Sequence, residues 1–142
     1  MKKINDLLAA KPDEIWSIAP EQFVFDALKL MAEKEIGALL VISEGKTCGI
    51  ISERDYARKV LLKGRSSRDT PVRDIMTTDV AFTHPDDTVE ACMKLMTTRR
   101  IRHLPVQDKD QLVGVISIGD LVKAIISEQK ETIELLETYI RS

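Results

Sequence analysis

Two segments of the chain place a hydroxyl and a carboxylate three residues apart where a strand gives way to a helix. They are Gly49-Ile50-Ile51-Ser52-Glu53-Arg54-Asp55 and Gly114-Val115-Ile116-Ser117-Ile118-Gly119-Asp120. A carboxylate there can accept hydrogen bonds from both vicinal hydroxyls of a ribose, each worth about 1.5–3 kcal/mol as a charge-assisted bond. The free amides of the helix start favour a phosphate nearby. The same Ser-x-x-Asp spacing is also a capping box, in which the two side chains satisfy orphan backbone donors and need no ligand. The two readings are compatible, and both remain open from the residues alone.

A second feature is Arg99-Arg100-Ile101-Arg102-His103-Leu104-Pro105-Val106, in which Arg102 and His103 are placed to reach a phosphate. A solvated basic face is the plain alternative. The scattered basic residues Arg54, Arg58, Lys59, Lys63, Arg65 and Arg68 read as surface, with Arg54 alone singled out as a ligand contact. The two histidines, His84 and His103, have no Ser or Cys partner at a spacing that suggests a catalytic triad, and neither standard glycine-rich phosphate loop is present. No catalytic residue is assigned, and the chain is expected not to be an enzyme.

These segments recur because the chain is duplicated. Shifting the sequence by 65 residues lays residues 15–60 on 80–125 without a gap, with 12 of 46 pairs identical. About three would be expected from average residue usage, so the likeness is an internal repeat. The matched pairs include Val24/Val89, Met31/Met96, Leu39/Leu104, Val41/Val106, Gly49/Gly114, Ile51/Ile116, Ser52/Ser117 and Asp55/Asp120. At a slightly different offset the leader Ile4-Asn5-Asp6-Leu7-Leu8 resembles Val72-Arg73-Asp74-Ile75-Met76.

Each copy predicts a brief strand (15–18 or 80–83) ended by a proline, then an amphipathic helix carrying Val24, Ala27, Leu28 and Met31, or Val89, Cys92, Met93 and Met96. Two β-rich apolar runs follow (38–42 and 48–52; 103–106 and 112–117), and a second helix starts near Glu53 or Ile118. One β-α-β-β-α unit cannot cover its own apolar surfaces, so two units packed sheet against sheet with pseudo-twofold symmetry are expected. The fold class is α+β. The expected organisation is a first domain with its leader over 1–62, a linker over 63–71, a second domain over 72–128, and a helical extension over 129–142.

Composition narrows the possibilities further. With 142 residues, 44% apolar and 31% charged, the chain can bury a sizeable core, and a net charge of -2 offers no footprint for a long polyanion. Nucleic-acid binding is therefore not expected. The longest apolar run falls short of a membrane span, and Asp6 interrupts the start before any secretory signal could form. Cys48 and Cys92 are too few for a disulfide framework or zinc site and align with Val113 and Ala27, so they read as core filler. A cytoplasmic location and no metal are expected. Trp16 either stacks on a base or packs in the core.

Taken together, these motifs resemble a tandem CBS-domain protein, a Bateman module standing alone. The resemblance rests on the Asp74-Ile75-Met76-Thr77 leader, the Val-x-x-x-x-Lys-Leu-Met helix, the Arg102-His103-Leu104-Pro105-Val106 step and both Gly-x-x-Ser-x-x-Asp junctions. It covers residues 3–126. The segment from Glu53 to Lys59 is similar to a subgroup of small bacterial and plant-organellar CBS pairs, related to those of IMP dehydrogenase.

The resemblance implies an adenosine-containing ligand (AMP, ADP, ATP, NAD(H) or S-adenosylmethionine) in two clefts built across both copies. In the first cleft Asp55 would hold ribose beside Ser52 and Arg54, and Thr77, Val80 and Ala81 would line adenine. Arg102, His103 and Pro105 would approach the phosphate. In the second, Asp120, Ser117 and Gly119 would face Ile15, Trp16, Gly37 and Ala38, with Lys11 standing in for the missing Arg-His step. The resemblance further implies a homodimer and an effector protein that reads ligand occupancy. The rival expectation is a ligand-independent interaction module that regulates an enzyme such as a thioredoxin-type redox protein.

Overall fold

A computed structural model describes residues 2–11 and 15–141. The elements run α1 (Ile4–Ala9), β1 (Ser17–Ile18), α2 (Val24–Lys34), β2 (Ala38–Ser43), β3 (Lys46–Ser52), α3 (Glu53–Tyr56), α4 (Val89–Arg99), β4 (His103–Asp108), β5 (Gln111–Ser117) and α5 (Ile118–Arg141). A π-helical turn, Ala57–Leu61, extends α3, and a 3-10 turn, Val72–Asp74, opens the second leader. The fold is the expected mixture of small sheets and helices.

The chain forms two compact units, of which only one is a continuous stretch of sequence. One comprises Trp16–Val80; the other joins the residues up to Ile15 to those from Ala81 onward. By packing, therefore, each repeat is completed by the leader that precedes the other repeat, whereas the sequence-order domains group each leader with the repeat that follows it. The reason is local. Leu8 of the first leader lies on Gly114, and Met76 of the second lies on Gly49.

In the Trp16–Val80 unit, β1 pairs parallel with β2, and β2 pairs antiparallel with β3, Leu40 opposite Ile50 and Ala38 opposite Ser52. The turn between β2 and β3 is Glu44-Gly45, both at positive φ (52° and 77°), the geometry that lets a two-residue hairpin follow strand twist. The core gathers Val24, Ala27 and Met31 from α2, Leu39 and Val41 from β2, Ile51 from β3, and Val72 and Ile75 from the leader. All the α2 contributors share one helical face, so period-3.6 spacing on the helix meets period-2 spacing on the sheet.

The other unit repeats the plan. β4 and β5 form an antiparallel hairpin whose turn, Lys109-Asp110, sits at φ 52° and 63°. Its core holds Val89, Cys92, Met96, Leu104, Val106 and Ile116, with Ile4 and Leu7 supplied by α1. The third strand expected at 80–83 is reduced to a single parallel bridge, Thr83 to Val106. Thr83 makes both ladder bonds available to one residue, its N–H to the Pro105 carbonyl (3.0 Å) and its carbonyl to the Gln107 N–H (2.8 Å). Its hydroxyl then donates to Asp87 (2.6 Å), and the chain turns at Pro85 instead of continuing alongside β4.

Candidate ligand-binding site

Both Ser-x-x-Asp segments fold as capping boxes at the helix entrances the sequence indicates. At the first, the Ser52 Oγ accepts from the Asp55 N–H (3.1 Å), while Asp55 Oδ2 accepts from the Ser52 N–H (2.9 Å) and the Ser52 hydroxyl (3.1 Å). Asp55 Oδ1 faces the Lys59 ammonium at 3.1 Å and the Thr77 hydroxyl at 3.4 Å. Lys59 in turn donates to the Ile75 carbonyl at 2.9 Å. The carboxylate is only 14% exposed and is held by donors on both oxygens, so its position is fixed before any ligand arrives.

The second junction has the same box with a differently sourced cation. Asp120 Oδ2 accepts from the Ser117 N–H (2.8 Å), and the Asp120 N–H donates to Ser117 Oγ (3.2 Å). Lys11, just past α1, donates to Asp120 Oδ2 (2.7 Å) and to the Val115 carbonyl (2.9 Å). Thus each junction carboxylate is paired with one lysine that also grips a backbone carbonyl. In one unit the lysine comes from the adjacent helical turn, and in the other from the leader. Burial pushes the Asp120 carboxyl upward, but the Lys11 ammonium and the Ser117 donors outweigh it and hold Asp120 below its ordinary value of 3.8.

His103 belongs to this second cluster. It lies opposite Ser117 on the β4–β5 ladder, and the Arg102 carbonyl accepts from the Ile118 N–H at 2.8 Å. Burial, reinforced by the Lys11 and Arg102 charges and opposed by Asp120, pushes the imidazole below its ordinary value of 6.5. A histidine depressed in this way adds stability that is present above pH 6.5 and is lost as the pH falls below it. Acidifying from pH 7.5 to 5.5 should therefore lower the unfolding free energy of the wild type more than that of His103→Gln. The imidazole signals should titrate with a midpoint below 6.5 by NMR. Equal acid sensitivity of the two proteins would show that His103 is not the group involved.

The remaining candidate residues are distributed as follows. In the Trp16–Val80 unit, Gly37 and Ala38 lie beside the first junction: the Glu53 N–H donates to the Gly37 carbonyl (3.0 Å) and Ala38 faces Ser52. The sequence reading grouped these two with Asp120, and Arg102 and His103 with Asp55. Within each repeat the ladder sets this step opposite the same repeat's junction, because the strand entering the hairpin pairs with the strand leaving it; that pairing does not decide the grouping across repeats. Arg54 points to solvent, and Val80 is half-buried. Trp16 packs against the core with the Lys34 ammonium 4.1 Å from its ring centroid. In the other unit, Ala81 and Ile15 are half-buried, Pro105 is buried, and Arg102 and Gly119 are exposed. Lys59, read as surface, is the residue the sequence analysis missed; its i,i+4 spacing from Asp55 was the available signal.

Nothing at either junction builds a nucleophile–base pair, and among the described residues no cluster of three or more His, Cys, Asp or Glu could hold a metal ion. Cys92 is buried, and that burial pushes its thiol up, away from thiolate reactivity. Among the described residues, no helix is long and apolar enough to cross a membrane.

Comparison with known proteins places this architecture. The family model for the CBS domain matches twice, at residues 6–62 and 72–127. The mitochondrial CBS domain-containing protein CBSX3 of Arabidopsis thaliana is 40% identical over 97% of this chain and 71% of its own length. A solved CBS-domain protein of Burkholderia ambifaria superposes with a TM-score of 0.88 at 50% identity, covering 90% of this chain and 96% of that one. The CBS domain pair of protein MJ0100, solved in complex with 5′-methylthioadenosine and S-adenosyl-L-methionine, is similar at 25% identity and TM-score 0.79, over 90% of this chain and 98% of that one. The chain therefore belongs to the CBS-domain family and carries two CBS domains in tandem.

Proposed function

We propose that this chain is a non-catalytic regulatory module that binds adenosine-containing ligands, with Asp55 and Asp120 accepting the ribose hydroxyls at their respective junctions. The observation that carries the reading is the twofold construction of one fixed carboxylate at a helix entrance, each backed by a serine and a lysine. Occupancy of the similar MJ0100 pair by 5′-methylthioadenosine and S-adenosyl-L-methionine supports the ligand class. The candidates are AMP, ADP, ATP, NAD(H) and S-adenosylmethionine. Lys59 and Lys11 would re-pair with the ligand's anionic groups, or remain on the carboxylate when the ligand has none. A ligand shifts the conformational equilibrium of such a module only by its differential affinity for the two states, and an effector protein would read the difference.

A second reading is favoured by the same geometry: both boxes are closed and both carboxylates are ion-paired with a lysine. On that reading the chain is an interaction module regulating an enzyme, for instance a thioredoxin-type redox protein, and the junctions are purely structural. Calorimetric titration of the folded protein with these ligands, with 5′-methylthioadenosine and with the 2′-deoxy form of whichever binds, separates the two. The ligand reading expects binding, and a loss of at least about tenfold in the 2′-deoxy form, because one charge-assisted hydrogen bond to the carboxylate is no longer made. No heat from any of them would favour the second reading.

A further inference from the structure

The last helix carries a surface that neither capping nor nucleotide chemistry uses. α5 spans Ile118–Arg141, yet only Leu121 and Ala124 are buried, and all of residues 129–141 are exposed. A projecting segment of about 13 residues is marginal as an isolated helix in water. Its apolar residues nevertheless follow a seven-residue pattern, interrupted at Gln129. Ile126, Ile133 and Ile140 fall at one seam position, and Val122, Gln129 and Leu136 at the other. Ile133, Leu136 and Ile140 are 54%, 57% and 80% exposed. Apolar residues recurring at these two positions form the seam of a coiled coil.

We propose that this seam docks against α5 of a second copy of the chain, in antiparallel orientation. The orientation follows from the charges flanking the seam. Four residues after Ile126 stands Lys130, and four residues after Ile133 stands Glu137. Antiparallel pairing sets this position against itself, so Lys130 of one copy can meet Glu137 of the other on both sides of the dimer axis. A parallel pair would set it against Ile125 and Thr132, which offer no charge. Antiparallel packing also opposes the helix dipoles favourably. This inference does not depend on the ligand reading.

The test is light-scattering mass of the full chain over a range of concentrations, for wild type, Ile133→Gln/Leu136→Gln, Glu137→Lys, and Lys130→Glu/Glu137→Lys. Because both apolar positions are exposed and Gln is a good helix former, the cores of both units should be undisturbed, as circular dichroism and an unchanged urea-denaturation midpoint would show. The seam variant should dissociate at least about tenfold more readily than wild type. Glu137→Lys alone should weaken association, and the Lys130→Glu/Glu137→Lys reversal should restore it. A wild type and seam variant of equal mass at every concentration would overturn the proposal. A Glu137→Lys variant that associates like wild type would overturn the antiparallel arrangement.

Discussion

Asp55→Ala should weaken nucleotide binding about ten- to a hundredfold while costing only about 1 kcal/mol of stability. The binding loss follows from removing a carboxylate that would accept two ribose hydroxyls, each a charge-assisted bond. The stability cost follows from the capping box: the Ser52 N–H loses its 2.9 Å acceptor, and cap substitutions to Ala cost about 0.5–2 kcal/mol. The loss of the ion pair adds little, because Lys59 is 44% exposed and keeps its bond to the Ile75 carbonyl. Asp120→Ala should behave differently, since Lys11 pairs with it at 2.7 Å and the neighbouring His103 is depressed partly by Lys11 itself. Titration calorimetry and urea denaturation of both variants check this. A large stability loss with unchanged affinity would assign the carboxylates to capping alone.

The second large effect is expected at a glycine. A Cβ at position 49 would come within 2.7 Å of Met76 Sδ and 3.0 Å of the Thr77 carbonyl. That carbonyl accepts from the Ile50 N–H at 3.0 Å, and the Thr77 N–H donates back to Ile50 at 2.9 Å, so the leader cannot retreat without breaking a bridge. Gly49→Ala should therefore destabilise the protein by about 1–3 kcal/mol, the usual range for overpacking. It should also weaken ligand binding, because Thr77 is pushed away from Asp55. At Gly114 the added Cβ would meet only the end of the Leu8 side chain, which can change rotamer. Gly114→Ala should cost less than Gly49→Ala, and denaturation of the pair measures the ordering directly. Equal losses would mean that the leader backbone does not set the constraint.

The repeat made much of the core legible in advance. Val24/Val89, Met31/Met96, Leu39/Leu104, Val41/Val106 and Ile51/Ile116 are identical because each pair fills the same core position in its own unit. The junctions were equally legible, since a capping box is written within four consecutive residues. What stayed hidden is tertiary. Nothing in the order of the chain says that Leu8 rests on Gly114, or that Met76 rests on Gly49, although the paired glycines were the trace of it. Lys59 was passed over because a lysine on a short helix ordinarily faces water, and only the fold brings Ile75 within its reach. The strand expected at 80–83 failed because Thr83 spends its hydroxyl on Asp87 and its backbone on a single bridge. Strand propensity alone does not register that competition.

The central claim is that the two junction carboxylates hold ribose. A structure of the protein crystallised with whichever adenosine ligand binds in calorimetry tests it most directly. The ligand's 2′- and 3′-hydroxyls should both lie within hydrogen-bond distance of Asp55 or Asp120, with the serine box still closed. A bound ligand whose ribose touches neither carboxylate would contradict the account.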